Sequence, residues 1–170
     1  SDEWAGDSIM NNLIVVGIAE MQVAESPTCF VTYALGSCVG ICLYDPVRKV
    51  GGLGHILLPN YPHEHPNEKH LRYADTCIPE MVKEMEKMGC VRSRITAKIA
   101  GGAKMFNIAS DSAFGNIGAR NVDAVKTTLQ NLQVRIVAQD TGLNYGRTVY
   151  FYTEDGTMVV KSCTMGSKTF

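Results

Sequence analysis

The sequence predicts an α+β fold, a single layered domain in which two main helices cover mostly antiparallel β-sheet in an α/β/β sandwich-like arrangement. Three observations indicate this class. Short apolar runs of period two fill the first third of the chain, two longer segments have helical periodicity, and strands return between and after them. The 170 residues suffice for one ordinary domain, and no repeat or linker divides them. We expect residues 1–170 to form one domain, with a polar lead-in over 1–12 and a C-terminal tail over 163–170.

The predicted strands are short runs rich in branched or aromatic residues and bounded by turn-forming residues. The clearest alternation of side chains covers 39–44, after which Asp45-Pro46 starts a turn into a partner strand over 50–58. Glu154-Asp155-Gly156 predicts a second hairpin nearer the C-terminus. The predicted strands are 13–18, 21–24, 29–34, 39–44, 50–58, 95–100, 134–138, 147–152 and 158–161.

Two segments have the period of an amphipathic helix. Over 71–88 the apolar residues fall on one face and the charged residues on the other, and Pro79 predicts a kink or a restart within the segment. The second helix is predicted over 117–132. Residues 60–70, with two prolines and three histidines, predict a surface loop before the first helix. The residues that the second helix would turn inward are Val122, Val125, Leu129 and Leu132.

Composition and charge exclude several classes of function. The chain is 45% apolar and 19% charged, and its net charge of -1 predicts no surface for nucleic acid or anionic membrane. No apolar run is long enough to span a bilayer, and the acidic lead-in differs from the flank of a signal peptide, so we expect a cytoplasmic protein. Six cysteines without CxxC spacing are expected to be reduced and mostly buried, rather than paired in disulfides or bound to zinc.

The polar loop offers a metal site as an alternative use of its side chains. His63, Glu64, His65 and His70 have metal-binding groups, but a solvated loop accounts for them more simply. Gly101-Gly102 follows a predicted strand without the spacing of a nucleotide-binding loop. We therefore expect no metal and no cofactor.

A cysteine beside a glycine turn is the candidate nucleophile. Gly36 permits a tight turn and Cys38 follows it, so nearby backbone amides could stabilise a thiolate or the oxyanion of a tetrahedral intermediate. A thiol with a pKa of about 8.5 is mostly protonated at neutral pH and needs a base. His55 lies on the strand that returns from the turn after Asp45, at a depth comparable with that of Cys38. We predict that His55 is this base.

Six segments carry a family resemblance, and they occur in the expected order along the chain. They are Leu35-Gly36-Ser37-Cys38-Val39, Gly52-Leu53-Gly54-His55-Ile56-Leu57-Leu58-Pro59, Tyr73-Ala74-Asp75-Thr76, Ala100-Gly101-Gly102-Ala103-Lys104-Met105-Phe106, Ile117-Gly118-Ala119-Arg120-Asn121, and Asp140-Thr141-Gly142 with Tyr145-Gly146-Arg147. Through these residues the chain resembles the CheD family, the chemoreceptor glutamine deamidases of bacterial and archaeal chemotaxis. The resemblance covers residues 11–162. One departure is visible, because Gly142-Leu143 stands where the family pattern has two glycines.

The resemblance implies a catalytic Cys-His dyad completed by a threonine that orients the histidine. In this chain those residues are Cys38, His55 and Thr32, with Ser37 and Gly36 of the turn at the substrate and oxyanion position. The implied activity is that of a protein-glutamine glutaminase, an amidohydrolase with a cysteine nucleophile. It converts glutamine and water to glutamate and ammonia through a thioester, and hydrolysis of glutamyl methyl esters is a natural second reaction.

The resemblance also implies two protein partners. The substrate would be the cytoplasmic helices of a chemoreceptor, which favours a shallow site, and a CheC-type phosphatase would be the second partner. Phe106 and Phe114 are candidate contacts around the mouth of the site, and we expect a monomer when the protein is alone. Two other hypotheses stay open, a non-catalytic regulator that binds a CheC-type phosphatase and a redox sensor that uses the Cys38 thiol.

Overall fold

The structure, a computed structural model, describes residues 12–105 and 116–170. Within these ranges the chain forms ten strands and two α-helices, with short 3-10 turns at His70–Arg72 and Arg92–Arg94. The helices are α1 (Ala74–Lys87) and α2 (Ile117–Asn131). The strands are β1 (Leu13–Val15), β2 (Met21–Glu25), β3 (Cys29–Leu35), β4 (Val39–Asp45), β5 (Val50–Ile56), β6 (Thr96–Gly101), β7 (Arg135–Thr141), β8 (Arg147–Tyr152), β9 (Thr157–Ser162) and β10 (Gly166–Thr169).

The strands form two five-stranded sheets, which we call the central and the outer sheet. The central sheet has the order β2-β5-β4-β6-β7 and the outer sheet the order β1-β3-β8-β9-β10. Among the described strands, β1–β3 and β6–β7 pair in parallel, and the other pairs are antiparallel. Because α1 and α2 pack on one face of the central sheet and the outer sheet packs on the other, the predicted α+β fold with three layers is confirmed.

Alternate residues of β4 face two different parts of the core. The odd-numbered residues of the strand pack against α1 and α2, and its even-numbered residues pack against the outer sheet. On the neighbouring strand β5, Gly54 faces α1, where a Cβ atom would lie 2.7 Å from the Met81 sulfur. Glycine at this position therefore lets the helix lie directly on the sheet.

Helix α1 is continuous through Pro79, so the predicted restart does not occur. The helix begins at Ala74 rather than at 71, because Tyr73 has extended backbone with φ -111° and ψ 141°. Proline inside a helix removes one backbone hydrogen bond, and burial of the apolar face opposes this loss. The buried side chains of the helix are Ala74, Cys77, Ile78, Met81, Val82 and Met85.

The turn between β4 and β5 is tied to the rest of the domain by a buried carboxylate. Asp45 has no exposed surface and accepts hydrogen bonds from the amides of Val47 at 3.0 Å, Arg48 at 3.3 Å and Val91 at 3.1 Å. The Arg94 guanidinium forms an ion pair with it at 3.0 Å. Burial alone would raise the pKa of Asp45, but these donors together hold it below its ordinary value.

All nine predicted strands are present, and their ends differ from the prediction by a few residues. The structure adds β10, which lies within the predicted tail and pairs with β9. Four cysteines are buried, as expected for most of them, and all six are free thiols. Residues 1–11, including Trp4, and the candidate contacts Phe106 and Phe114 lie outside the described residues.

No helix within residues 12–105 and 116–170 is long and apolar enough to cross a membrane. The same residues hold no group of three or more His, Cys, Asp or Glu side chains arranged to bind a metal ion.

Candidate active site

Strand β5 places His55 between the two sheets, on the same face as Cys38. The β4–β5 hairpin is antiparallel with Gly40 opposite His55, so the predicted pairing of these strands is confirmed. Opposed residues project from the same face of a sheet. Cys38 precedes Gly40 by two residues and packs against the cluster between the sheets, which makes it a diagonal neighbour of His55. Diagonal neighbours are about 7–8 Å apart. Among the described residues, His55 Nε2 has no hydrogen-bond partner, so no hydrogen bond joins it to the Cys38 sulfur.

Thr32 comes to His55 from the outer sheet. Its hydroxyl oxygen lies 2.6 Å from His55 Nδ1 and donates to the Val16 carbonyl oxygen at 2.7 Å. A hydroxyl has one hydrogen, and a carbonyl oxygen only accepts, so the Thr32 proton is committed to Val16. The hydroxyl must therefore accept from Nδ1–H, which leaves Nε2 of a neutral His55 with its lone pair. That tautomer is the one able to take a proton.

Gly40 makes room for this approach between the sheets. A Cβ atom on Gly40 would lie 3.2 Å from Leu35 Cδ1 and 3.7 Å from Thr32 Cγ2, both on β3 of the outer sheet. A larger side chain would push β3 away from β5 and lengthen the hydrogen bond between Thr32 and His55. Glycine opposite the histidine thus keeps the two sheets close where the ring meets its partner.

Main-chain hydrogen bonds fix the segment Gly36–Ser37–Cys38, which we call the nucleophile loop after its candidate nucleophile, Cys38. The Gly102 amide donates to the Cys38 carbonyl oxygen and the Ala103 amide to the Gly36 carbonyl oxygen, each at 2.8 Å. Gly101 has φ +111°, and a Cβ atom there would lie 2.3 Å from the Cys38 carbonyl oxygen. Only glycine combines this backbone conformation with so close an approach. The loop after β6 therefore packs against the nucleophile loop and holds its main chain in place.

Asn121 on α2 contacts the candidate site and appears above only within a motif. It has no exposed surface, and its side-chain amide donates to the Ser37 carbonyl oxygen at 2.9 Å and to the Leu57 carbonyl oxygen at 2.8 Å. The available signal was its position on the helix, because Asn121 is four residues before Val125 on the inward face. A polar residue in an apolar stripe indicates a buried hydrogen bond.

Burial shifts the pKa values of Cys38 and His55 in opposite directions. It raises the pKa of the Cys38 thiol above its ordinary value and lowers the pKa of His55 to about 4. Both shifts favour the neutral thiol and the neutral imidazole at pH 7. The pKa shifts thus disfavour a thiolate and an imidazolium at rest.

Exposed apolar side chains lie beside the nucleophile loop. Met105 is 46% exposed, and its Cγ atom is 3.1 Å from where a Cβ of Gly36 would lie. Leu143 is 63% exposed, and its carbonyl oxygen accepts from the Lys104 amide at 2.8 Å. The three loops 36–38, 101–105 and 141–146 thus form one hydrogen-bonded edge of the domain.

The sequence is similar to those of known proteins over most of its length. The family described as CheD chemotactic sensory transduction matches residues 57–162, more than half of the chain. A protein of Lachnoclostridium phytofermentans is 46% identical over 153 residues, which cover 90% of this chain and 95% of that protein. This chain belongs to the CheD family. A CheD-family relative from Caldanaerobacter subterraneus subsp. tengcongensis is 48% identical, over 93% of this chain and 98% of that protein. Both relatives are named "Probable chemoreceptor glutamine deamidase CheD".

A solved structure is similar in part. The Bacillus licheniformis hypothetical protein YfiH matches 73% of this chain and 51% of its own at 14% identity, with a TM-score of 0.41. That likeness is too low to bear on the function of a CheD-family protein.

The departure from the CheD-family pattern at Gly142-Leu143 has a structural counterpart. Both residues have left-handed backbone, with φ +77° at Gly142 and φ +61° at Leu143. Glycine takes this conformation freely, whereas leucine is strained in it. The side chain of Leu143 is 63% exposed.

Proposed function

We propose that this protein deamidates glutamine side chains on the cytoplasmic helices of chemoreceptors, with Cys38 as nucleophile, His55 as base and Thr32 as the residue that orients the base. The observation that carries the proposal is the hydrogen bond between Thr32 and His55, in which the threonine proton is already committed to Val16. Nε2 of His55 is buried without a hydrogen-bond partner among the described residues. The lone pair of Nε2 is therefore available to accept a proton, on the same face of the central sheet as Cys38.

The first half of the reaction forms a thioester. His55 Nε2 takes the thiol proton as the Cys38 sulfur attacks the carboxamide carbon of the substrate glutamine. The carbonyl electron pair moves to oxygen, giving a tetrahedral oxyanion. The C–N bond then breaks, the leaving nitrogen receives the proton from His55, and ammonia departs. Because Cys38 and His55 are both neutral at rest, one proton moves from the thiol to the histidine and then to the leaving nitrogen within this half.

The second half returns the free enzyme. His55 takes a proton from water, and the oxygen attacks the thioester carbon. The C–S bond breaks, the sulfur receives the proton, and glutamate is released. A glutamyl methyl ester would follow the same route with methanol as the leaving group, which is why we include ester hydrolysis as a second reaction.

The amide of Cys38 is the donor that we assign to the oxyanion. It faces its own thiol, and within the described residues it donates to no carbonyl oxygen. The amides of Ser37 and Gly36 in the same turn are the candidates for a second donor. One such donor contributes about 10²–10³-fold to the rate in enzymes that stabilise a tetrahedral oxyanion.

The burial of Cys38 bears on the redox alternative. Sensor thiols are exposed, and the thiolate is present at rest. Cys38 is half-buried, and burial raises its pKa. This disfavours a sensor thiol, whereas a nucleophile that has a neighbouring base can lose its proton during attack. Binding of a CheC-type phosphatase stays a prediction from the family resemblance, and it is compatible with an active enzyme.

The test is turnover on a purified cytoplasmic receptor fragment. Wild-type protein is expected to convert specific glutamines to glutamate and to release ammonia, measured by mass spectrometry of peptides and by an ammonia assay. Cys38→Ser and His55→Ala should each lower the rate by at least about 100-fold. Cys42→Ala is the matched control, because Cys42 is a buried cysteine on the same face of β4 and should leave turnover intact. No turnover by the folded wild type, or full turnover by Cys38→Ser, would exclude the proposal.

A further inference from the structure

Asn121 joins the two chain segments that bear Cys38 and His55. Its amide nitrogen bonds to the carbonyl oxygen of Ser37, one residue before Cys38, and to that of Leu57, two residues after His55. Both partners only accept hydrogen bonds, so the end of the side chain that faces them is the NH2 group. Asparagine can supply two donors from one atom in this way, and aspartate cannot.

Asn121 donates a hydrogen bond at the place where the next inter-strand hydrogen bond between β4 and β5 would be expected. The ladder ends at the pair Val39 and Ile56. The next donor in line toward the Ser37 carbonyl oxygen would be the Leu58 amide, but that amide donates to the Arg72 carbonyl oxygen at 3.2 Å. The strands therefore separate at the nucleophile loop, and Asn121 supplies the donor that the ladder does not.

Holding the Ser37 carbonyl oxygen also sets the direction of the Cys38 amide. The C=O of Ser37 and the N–H of Cys38 belong to one planar peptide group, in which they point in opposite directions. Asn121 holds the first end. The second end faces the Cys38 thiol, next to where an oxyanion would form. Rotation of this peptide would turn the N–H away and bring a carbonyl oxygen toward the developing negative charge.

We propose that Asn121 is a positioning residue that aims the Cys38 amide at the oxyanion by holding the Ser37–Cys38 peptide, an inference that rests on the proposed deamidase function. Asn121 itself does not touch the substrate. Its effect should therefore appear in the step that forms the tetrahedral oxyanion, and not in the intrinsic reactivity of the thiol.

Two reactions of Cys38 separate these effects. Deamidation passes through a tetrahedral oxyanion, whereas alkylation by iodoacetamide displaces iodide without one. Asn121→Ala is expected to lower kcat on the receptor fragment by about 100-fold, the size of one lost oxyanion donor, with KM little changed. The rate of Cys38 alkylation at the same pH should stay close to that of wild type. Asn121→Ser, which can donate one hydrogen bond, should give an intermediate kcat.

Thr128→Val is the matched control on the same helix. Thr128 is 7% exposed, and its hydroxyl donates to the Ala124 carbonyl oxygen at 2.8 Å, within α2 and away from the nucleophile loop. The substitution removes one buried hydrogen bond of the helix and should leave kcat unchanged. If Asn121→Ala does not fold, Asn121→Ser is compared with this control instead.

The outcomes are distinct. A fall in kcat with alkylation preserved supports the positioning role, and a parallel fall in kcat and alkylation, or a kcat equal to that of Thr128→Val, overturns it. Absence of turnover in wild type would be a failure of the proposed function. The inference would then be judged by a crystal structure of Asn121→Ala, in which an unrotated Ser37–Cys38 peptide overturns it and a rotated one supports it.

Discussion

The two ends of the β4–β5 hairpin handle buried polar groups in opposite ways. At the turn end, the Asp45 carboxylate accepts hydrogen bonds from three amides and from Arg94. At the open end, His55 Nε2 and Asn121 Oδ1 are buried without hydrogen-bond partners among the described residues. An unpaired buried polar atom costs about 1–3 kcal/mol, whereas paired ones stabilise the fold. The turn end of the hairpin thus stabilises the domain, whereas buried polar groups stay unpaired at its open end, and four predictions test this division.

The largest effect on stability is expected at the turn end. Asp45→Ala leaves Arg94 without its carboxylate and three amides without an acceptor, and should lower the free energy of unfolding by about 3–4 kcal/mol. Turnover measured below the unfolding transition should stay near wild type, because Asp45 lies far along the strand from Cys38. Urea unfolding and the receptor-fragment assay measure the two quantities.

An exposed ion pair provides the control for Asp45. Glu84 and Lys87 on α1 are 3.0 Å apart with side chains 37% and 61% exposed. Glu84→Ala should change stability by less than about 1 kcal/mol. A similar small loss for Asp45→Ala would contradict the assignment of the turn end as the stabilising one.

The next effect is a dependence of stability on pH that comes from His55. Its pKa is about 4 in the folded protein and about 6.5 in the unfolded chain, so the unfolded state binds more protons between these values. The free energy of unfolding should therefore fall by about 2–3 kcal/mol as pH is lowered from 6.5 to 4. His55→Gln should lack this part of the loss, as measured by urea unfolding at each pH. Identical pH profiles for the two proteins would show that His55 is not buried in its neutral form.

A smaller effect is expected from the partner of the histidine. Thr32→Val removes the acceptor of Nδ1–H and the donor to Val16 while keeping the shape of the side chain. We expect kcat to fall about 10-fold and stability to fall by about 1–3 kcal/mol. Thr32→Ser keeps the hydroxyl and should retain most of the activity. Equal kcat values for the valine and serine variants would rule out an orienting hydrogen bond.

The smallest effect is expected when backbone strain is relieved at Leu143, beside the open end of the β4–β5 hairpin. Leu143 has φ +61° and is mostly exposed, so Leu143→Gly should raise the free energy of unfolding by about 0.5–1 kcal/mol. Leu143→Ala keeps a Cβ atom, and with it the strain, and should give no gain. Urea unfolding distinguishes the two variants, and a gain for alanine as large as that for glycine would point to the exposed leucine side chain rather than to the backbone.

The layered fold could be predicted because periodicity reports directly on which side chains are buried. The alternation over 39–44 and the stripes of α1 and α2 are visible in the sequence, and the structure places them as expected. Strand β10 escaped prediction because its residues Gly166–Thr169 are all exposed, so no apolar period marks them. Its pairing with β9 depends on tertiary contacts that a local pattern does not contain.

The site could be predicted in part for a similar reason. Cys38 directly precedes β4 and His55 lies on β5 of the same hairpin, so local sequence brings them to the same region. The family resemblance supplied Thr32. Its contact with His55 joins the outer sheet to the central sheet, and its hydrogen bond to Val16 requires the segment after β1 to lie beside β3. Asn121 is 84 residues from Ser37. Contacts across such distances follow from topology, which periodicity alone does not determine.

The hydrogen bond between Thr32 on the outer sheet and His55 on the central sheet has a consequence for the newly made chain. Thr32 lies on β3, whose antiparallel neighbour β8 is Arg147–Tyr152, near the end of the sequence. During synthesis on the ribosome, Cys38 and His55 emerge long before β8 can pair with β3. We expect the histidine to stay unoriented until then. The thiol would thus acquire its partner geometry only after the residues of β8 have been made.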